Sequence, residues 1–292
     1  MKHRLFTGAC TALVTPFRNG KVNIDMLKIL LDRQIESGIN AIVICGTTGE
    51  ASTLSDAEKI SLFREAKKHV GAEYTIIAGT GSNDTAHAVS LSMAAEDAGA
   101  DGVLVVSPYY NKATPEGIYI HYTTIASSIH IPLIIYNVPS RTGMDIPVSV
   151  YKELAQVPNI AGVKEASSDI VKFAQILRHC PSDFTAWSGN DNQIVPTMSL
   201  GGAGVISVVS NVAPAETQAM ALAALDGDFD TAAHLQLGLL PLMEKLFCEV
   251  NPIPVKAAMK LLGYDCGPCR LPLTPIHANH LRELSLLLKH TE

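Results

Sequence analysis

The chain has 292 residues, with 22 lysines and arginines against 28 aspartates and glutamates, so its formal net charge is −6. This negative charge excludes a protein that binds nucleic acid through a basic surface. Hydrophobic residues make up 47% of the chain and charged residues 17%, against about 25% charged residues in a typical soluble domain. We therefore expect a folded protein with a large core, and the low charge favours surface that is buried between subunits.

The sequence predicts neither export nor a membrane span. The apolar run near its start is broken by polar residues and proline before it reaches the roughly 7–15 residues of a signal peptide. Apolar runs elsewhere stay below the roughly 18 residues that a membrane-spanning helix needs. Six cysteines are too few for a disulfide scaffold in a chain of this length. We expect a cytoplasmic protein with reduced thiols and no membrane partner.

Eight short apolar runs recur along the chain, separated by stretches with helical spacing. These runs are continuous rather than alternating, which is typical of strands covered on both faces of a parallel sheet. The predicted strands are residues 8–14, 41–45, 74–79, 102–107, 133–137, 160–164, 184–188 and 204–208.

The segments between these strands carry the end signals of helices. Gly38 stands where the first helix should stop. Ser55 and Glu58 match a capping box at the start of the next helix. Thr114 is an N-cap candidate because it precedes Pro115, and proline is favoured at the first helical position.

Eight strand–helix units favour a (β/α)8 TIM barrel over an open doubly wound sheet. The strand signal stops near residue 225, and three more helices are predicted after it. We expect a catalytic barrel over residues 1–225 and a helical C-terminal extension over 226–292. The helices predicted in the extension are 230–249, 254–263 and 278–290.

Lys164 is the strongest candidate for chemistry because it ends the sixth predicted strand. Barrel enzymes carry their active sites at the C-terminal ends of the strands. Alternation places Lys164 on the same side as Gly162, and if that side faces the barrel interior, apolar surroundings favour a neutral amine. Such an amine attacks a carbonyl carbon and forms a Schiff base. The alternative is a lysine that reaches solvent or pairs with Glu165.

Polar residues at the ends of other strands could complete such a site. Tyr136 ends the preceding strand and could transfer protons during imine formation. Thr47 and Thr48 lie between two glycines, where they could bind a small carboxylate or join Tyr136 in a relay. The guanidinium of Arg141 suits a second carboxylate. The alternatives without a function are that Tyr136 only packs the end of the barrel and that Thr47 and Thr48 only form a turn.

Three segments carry these residues in a fixed order: Gly-Thr-Thr-Gly-Glu at 46–50, Tyr-Asn-Val-Pro-Ser-Arg-Thr-Gly at 136–143, and Gly-Val-Lys-Glu at 162–165. Together they resemble the dihydrodipicolinate synthase family, whose members are pyruvate-dependent class I aldolases related to N-acetylneuraminate lyase. The resemblance covers essentially the whole chain. Further matching stretches are residues 107–111, 201–207 and 251–256.

The resemblance implies a catalytic role for four residues. Lys164 forms the imine with pyruvate. Tyr136, Thr47 and Tyr110 form the proton relay, and Tyr110 reaches in from a neighbouring subunit. The residues by themselves give no reason to prefer Tyr110 to Tyr109, so that choice depends on the family pattern.

The resemblance also implies the substrates, which are pyruvate and L-aspartate 4-semialdehyde. Thr48 helps to hold the pyruvate carboxylate, Arg141 binds the carboxylate of the semialdehyde, and the backbone at Gly189 and Ile206 lines the pyruvate site. The implied pathway is lysine and diaminopimelate biosynthesis, and the implied assembly is a homotetramer built as a dimer of dimers.

Two alternative functions remain open. One is the same Schiff-base chemistry on another aldehyde, as in the sialic-acid lyases. Those relatives typically lack the counterparts of Thr48 and Arg141, which favours the synthase. The other is a catalytically silent barrel that binds small carboxylates.

One departure from the family pattern concerns feedback by lysine. Lysine-inhibited members carry histidines and an acidic residue where this chain has Asp56, Lys59 and His87, although Asn83 and Tyr109 match. A cation at Lys59 and the lack of a carboxylate at His87 disfavour binding of the ammonium groups of lysine. We expect weak or absent lysine feedback.

Other motifs do not support a cofactor or metal. The Cys-Gly-Pro-Cys stretch at 266–269 lacks the strand and helix context of a redox motif. The Gly-Thr-Gly at 79–81 has Asp84 where a dinucleotide fingerprint has its third glycine. His277 and His280 lack a third ligand nearby in the sequence. We expect a reaction that uses neither cofactor nor metal.

Overall fold

The computed structural model describes residues 5–289, and in it eight parallel strands close into a barrel. Each barrel strand pairs with the next one along the chain, and the last pairs with the first. All eight predicted strands are confirmed, with ends that differ by at most two residues. The barrel strands are β1 (Gly8–Ala12), β4 (Ala41–Ile44), β5 (Thr75–Gly79), β6 (Gly102–Val106), β7 (Leu133–Asn137), β8 (Ile160–Glu165), β9 (Thr185–Ser188) and β10 (Gly204–Ser207).

A small hairpin outside the barrel was not predicted. It joins β2 (Phe17–Arg18) to β3 (Lys21–Val22) in antiparallel pairing. Asn19 and Gly20 connect the two strands with φ angles of 54° and 77°. Asn-Gly is a common two-residue hairpin turn because both positions need positive φ, so this signal was present in the sequence.

Helices follow each barrel strand and continue into the extension. The barrel helices are α1 (Ile24–Glu36), α2 (Asp56–Val70), α3 (Thr85–Asp97), α4 (Pro115–Ser127), α5 (Pro139–Thr142), α6 (Val148–Leu154), α7 (Ile170–His179), α8 (Ile194–Ser199) and α9 (Pro214–Leu225). The helices after them are α10 (Phe229–Lys245), α11 (Ile253–Leu261) and α12 (Ala278–Leu288).

The predicted helix ends are largely those of the structure. The Ser55 hydroxyl accepts from the Glu58 amide, and the Glu58 side chain accepts from the Ser55 amide at 2.9 Å. The Thr114 hydroxyl accepts from the amide of Gly117 with Pro115 at the first helical position. In the extension, the helix predicted over 230–249 ends at Lys245. Residue 290, the last of the helix predicted over 278–290, lies outside the described residues.

The barrel strands are buried on both faces, which explains why their sequences do not alternate. One face packs against the helices, and the other fills the barrel interior. Inside the barrel, Trp187 stacks on Phe6 with ring centres 5.0 Å apart. Other interior residues are Cys10, Ala12, Ala41, Val43, Ile77, Leu104, Ile134, Tyr136 and Ile206.

The helices after residue 225 are tied to the barrel by charged side chains. Lys256 on α11 forms a buried ion pair with Glu50 at 2.8 Å. Arg270, in the segment between α11 and α12, binds both carboxylate oxygens of Glu58 on α2. The division of the chain into domains at residues 1–225 and 226–292 remains a prediction.

Candidate active site

Lys164 lies inside the barrel at the end of β8. The strand register places it between Tyr136 on β7 and Trp187 on β9, and both of these neighbours belong to the interior cluster. Lys164 is 5% exposed, and its Nζ lies 4.3 Å from the centre of the Tyr136 ring. A lysine that reaches solvent is therefore excluded, and the amine lies against the tyrosine that sequence analysis proposed as its proton-transfer partner.

Glu165 does not pair with Lys164, because it points to the other face of β8. Its carboxylate accepts hydrogen bonds from the Asn137 amide group at 2.9 Å and from the Tyr151 hydroxyl at 3.2 Å. A third donor is the backbone N–H of Ser167 at 2.8 Å. Since Asn137 and Glu165 follow Tyr136 and Lys164 directly, these bonds fasten together the two strand ends that carry the candidate catalytic groups.

Lys172 on α7 supplies the positive charge for this buried network. Its ammonium group bonds to Asp145 and lies 3.9 Å from Glu165. Burial, followed by the charge of Glu165, raises the pKa of Tyr151 well above its usual value. Tyr151 therefore stays a neutral hydrogen-bond donor to Glu165. Sequence analysis assigned no role to Lys172 or Asp145.

The Gly-Thr-Thr-Gly turn after β4 places two threonine side chains differently. Thr47 lines a cavity at the C-terminal end of the barrel. Thr48 is buried, and its hydroxyl oxygen accepts a hydrogen bond from the Asn251 side-chain amide at 2.9 Å. The turn packs closely on β5, because a Cβ at Gly79 would lie 2.1 Å from the carbonyl oxygen of Cys45. Only glycine at position 79 lets the turn approach this closely.

Arg141 lies at the mouth of the same cavity. It belongs to the single-turn helix α5, which Pro139 opens after β7. The guanidinium donates a hydrogen bond to the backbone carbonyl of Asn251 at 3.3 Å. The side chain is exposed, so its remaining donors are available to an anion.

The cavity has a volume of about 480 Å³ and brings together three of the predicted site residues, Thr47, Tyr136 and Arg141. Lys164 and Thr48 do not line it. Tyr136 connects the cavity with Lys164, since Tyr136 lines the cavity and its ring centre lies 4.3 Å from Lys164 Nζ. The volume falls within the range of about 300–1,000 Å³ that is usual for small-molecule sites.

Gly189 and Ile206 do not line this cavity. A Cβ at Gly189 would lie 3.2 Å from Lys164 Cε and 2.6 Å from Ala166 Cβ, so glycine leaves the room that the lysine side chain occupies. Ile206 is buried in the interior cluster. Both positions are thus on the side of the barrel that holds Lys164.

The structure does not bring Tyr110 to the cavity of its own chain. Tyr110 is 90% exposed and has a φ of 70°, whereas its neighbour Tyr109 lines the cavity. A role for Tyr110 in the site therefore requires a second chain.

Asp56, Lys59 and His87 also line the cavity and form one cluster. His87 Nε2 lies 2.9 Å from an Asp56 carboxylate oxygen, and Lys59 Nζ lies 3.7 Å from the same carboxylate. The carboxylate at position 56 is thus already shared by two cationic or hydrogen-bonding groups of the protein.

Asp191 is a buried carboxyl near the site whose role the sequence did not indicate. One of its oxygens accepts from the backbone N–H groups of Val208 and Val209 at 3.1 and 2.8 Å. Burial raises the pKa of Asp191. The residue ties the loop after β9, which contains Gly189, to the end of β10.

The described residues contain no group of three or more His, Cys, Asp or Glu side chains that could hold a metal ion. All six cysteines are free, and burial raises the pKa of Cys266 and of Cys269 to about 11 in each case. Among residues 5–289, none of the helices has the length and apolar character needed to cross a bilayer.

Comparison with known proteins identifies similar chains over nearly the whole length. The sequence model of the dihydrodipicolinate synthetase family matches residues 5–291. A protein of Acetivibrio thermocellus named 4-hydroxy-tetrahydrodipicolinate synthase is 48% identical over 289 residues, which cover 99% of this chain and 98% of that protein.

Solved structures agree with this similarity. Dihydrodipicolinate synthase from Aquifex aeolicus gives a TM-score of 0.96 at 41% identity and covers 98% of each chain. The chloride-inhibited dihydrodipicolinate synthase from Acinetobacter baumannii, solved in complex with pyruvate, gives a TM-score of 0.95 at 41% identity. That comparison covers 97% of this chain and 98% of the other.

Proposed function

The chain belongs to the dihydrodipicolinate synthetase family, and we propose that it acts as a 4-hydroxy-tetrahydrodipicolinate synthase, a lyase of lysine and diaminopimelate biosynthesis. The observation that carries this proposal is the placement of Lys164. Its amine is inside the barrel, 5% exposed and against the ring of Tyr136, where a carbonyl substrate can be converted to an imine.

The first half of the reaction is imine formation with pyruvate. The Lys164 amine attacks the C2 carbonyl carbon, and the resulting carbinolamine loses water to give a protonated imine. This cation withdraws electrons from the neighbouring methyl group, which then loses a proton and becomes an enamine. Tyr136 and Thr47, which both line the cavity, carry protons in these steps.

The second half of the reaction joins the enamine to L-aspartate 4-semialdehyde. The enamine carbon attacks the aldehyde carbon, and the new alkoxide takes a proton. The α-amine of the semialdehyde then attacks the C2 imine carbon, closes the ring and releases the Lys164 amine. Arg141, exposed at the cavity mouth, binds the carboxylate of the semialdehyde.

Thr48, Gly189 and Ile206 form the pyruvate subsite of this proposal. Gly189 is supported by its proximity to Lys164, since any side chain there would meet the lysine. Thr48 offers a hydroxyl to the pyruvate carboxylate, and Ile206 contributes backbone and a buried apolar wall.

The assembly that we propose is a homotetramer in the cytoplasm, in which Tyr110 enters the site of a neighbouring chain. The exposure of Tyr110 supports this placement. A mixing experiment tests it. Lys164→Ala and Tyr110→Phe chains, each weakly active alone, should regain activity when they are dissociated and reassembled together, because one type of mixed site then carries both groups. If reassembled mixtures stay as inactive as the parents, Tyr110 does not act between chains.

The choice of aldehyde is tested by a panel assayed with pyruvate. We expect turnover with L-aspartate 4-semialdehyde and none with N-acetylmannosamine, the aldehyde partner of a sialic-acid lyase. Arg141→Ala should raise the KM for the semialdehyde more than the KM for pyruvate, since the guanidinium serves only the second substrate. Turnover confined to a sugar aldehyde would establish the lyase alternative, and absence of turnover with every aldehyde would favour a silent carboxylate-binding barrel.

A further inference from the structure

Asn251 lies between the two groups that the proposed function assigns to substrate carboxylates. It directly precedes Pro252 at the start of α11, and it is 5% exposed. Its side-chain amide donates to the Thr48 hydroxyl at 2.9 Å, and its backbone carbonyl accepts from Arg141 at 3.3 Å. One residue of the C-terminal extension therefore contacts both carboxylate-binding side chains of the barrel.

The direction of the Asn251–Thr48 hydrogen bond determines what the threonine can offer. A threonine hydroxyl has one hydrogen and can both donate and accept. Because the Asn251 N–H donates, the Thr48 oxygen is the acceptor, and the Thr48 hydrogen stays free for another group. A carboxylate only accepts hydrogen bonds, so a free hydroxyl hydrogen is what pyruvate binding requires.

The position of Asn251 is fixed by a second link between α11 and the same turn. Lys256, one turn further along α11, bonds to Glu50 at 2.8 Å and to the Thr15 carbonyl at 3.1 Å. Glu50 ends the turn that contains Thr48. The extension and the threonine turn are thus joined at two points, so that Asn251 cannot shift without moving the turn.

The other end of the Asn251 side chain points to function rather than to stability. Its Oδ1 atom is buried and has no hydrogen-bond partner among the described residues. An unsatisfied buried acceptor is unfavourable, and native structures contain few of them. An asparagine retained only to hold the extension would be expected to bond through both ends.

We propose that Asn251 is a positioning residue for the pyruvate subsite, which acts by keeping Thr48 as a hydrogen-bond donor to the pyruvate carboxylate. This inference is built on the proposed function. In this proposal Asn251 does not touch the substrate, and it affects pyruvate binding only through its hydrogen bond to Thr48.

Asn251→Asp tests the proposal with almost no change in shape. The new carboxylate accepts the Thr48 hydrogen and adds a negative charge near the pyruvate carboxylate. We expect the KM for pyruvate to rise by about tenfold or more, with a smaller change in kcat, as for the loss of a charge-assisted hydrogen bond. The defect should shrink between about pH 8 and pH 5, because a protonated aspartic acid can donate again and burial raises the pKa of such a group.

A double-mutant cycle with Thr48→Val separates positioning from a general structural effect. If Asn251 acts through Thr48, then Asn251→Asp should add little to the pyruvate defect of Thr48→Val. Asn251→Ala, which removes the donor without adding charge, enters the same cycle if the aspartate variant does not fold. The matched control is Asn279→Asp, which puts the same charge on an exposed position of the extension and should leave the KM unchanged.

Three results decide the question. A wild-type KM for pyruvate in Asn251→Asp, or additive effects of the Asn251 and Thr48 substitutions, overturns the positioning role while the proposed function stands. A defect that does not change with pH overturns the donor argument. Failure of the wild-type protein to form any adduct with pyruvate instead overturns the proposed function, and the inference falls with it.

Discussion

The buried ion pair between Lys256 and Glu50 should be one of the most sensitive points of the fold. The two side chains are 3% and 1% exposed, and their charged atoms lie 2.8 Å apart. Lys256→Met keeps the length of the side chain and removes its charge. It leaves the Glu50 carboxylate buried, with the backbone N–H of Arg270 and the thiol of Cys269 as hydrogen-bond donors.

The expected loss follows from what the ammonium group does in the folded state. Besides Glu50, it donates to the carbonyl oxygens of Thr15 and Pro268 at 3.1 and 3.3 Å, so all three of its hydrogens are used. Removal of one partner of a buried ion pair costs about 3–5 kcal/mol, mainly because the other charge stays buried without compensation. We therefore expect Lys256→Met to lower the free energy of unfolding by about 3–5 kcal/mol.

The assay is urea denaturation followed by circular dichroism at a fixed protein concentration, since association of chains shifts apparent stability. The double variant Glu50→Gln/Lys256→Met removes both charges and should recover part of the loss. A fall of less than about 1 kcal/mol in Lys256→Met, the size of an exposed pair, would refute the assignment of a strong buried pair. The assignment would also be refuted if the double variant lost more unfolding free energy than the two single variants lose together.

Three further predictions concern the site and its supports. Gly189→Ala should slow adduct formation with pyruvate at least tenfold in a borohydride-trapping time course, because the new Cβ displaces the reacting lysine. The control is Gly238→Ala, which should form the adduct at the normal rate because no atom lies within 4 Å of a Cβ at that position. Lys172→Met should lower the free energy of unfolding by about 3 kcal/mol in the same urea assay and should reduce kcat, because the buried Glu165 carboxylate loses its cation. An unchanged unfolding free energy together with an unchanged kcat would contradict the role of Lys172 in this hydrogen-bond network. Arg270 holds the pKa of Glu58 at about 2, below its usual value of 4.5; this stabilisation is complete above about pH 4.5 and is lost as pH falls through 2. Arg270→Gln should therefore cost about 1 kcal/mol at pH 6, and urea midpoints should show the difference from wild type shrinking towards pH 3.

Much of the fold could be predicted because strands that are buried on both faces appear in the sequence as continuous apolar runs. The run Val103-Leu104-Val105 has no polar alternation, and the structure buries all three side chains. Helix ends such as Ser55 depend on local hydrogen bonds, which a sequence also records. The hairpin at Asn19 carried an equally local signal.

The sequence could predict a site residue only where its role follows from its position along a single strand. Period-2 alternation places Lys164 at the strand end and on the same side as Gly162, and the structure shows that this side faces the barrel interior. The partners of Glu165 do not follow from alternation, because Lys172 and Asp145 come from other elements of the fold. Asn251 and Thr48 are separated by 203 positions along the chain, and no local pattern reports a contact of that kind.

The role of Tyr110 could not be decided from the sequence or from one chain. Tyr109 and Tyr110 are adjacent, yet the first lines the cavity and the second is 90% exposed. Tyr110 also has a φ of 70°, a backbone conformation that residues other than glycine rarely adopt. Whether the Tyr110 side chain enters the site of a neighbouring chain depends on how the chains assemble, and the mixing experiment tests this.

The most direct test of the account is reduction of the protein with borohydride in the presence of pyruvate, followed by peptide mass spectrometry. We expect one reduced pyruvyl group to be added per chain, located on Lys164, and we expect Lys164→Ala to gain no mass. Adduct formation on another lysine, or no adduct in the wild-type protein, would contradict the claim that this chain works through a Schiff base on Lys164.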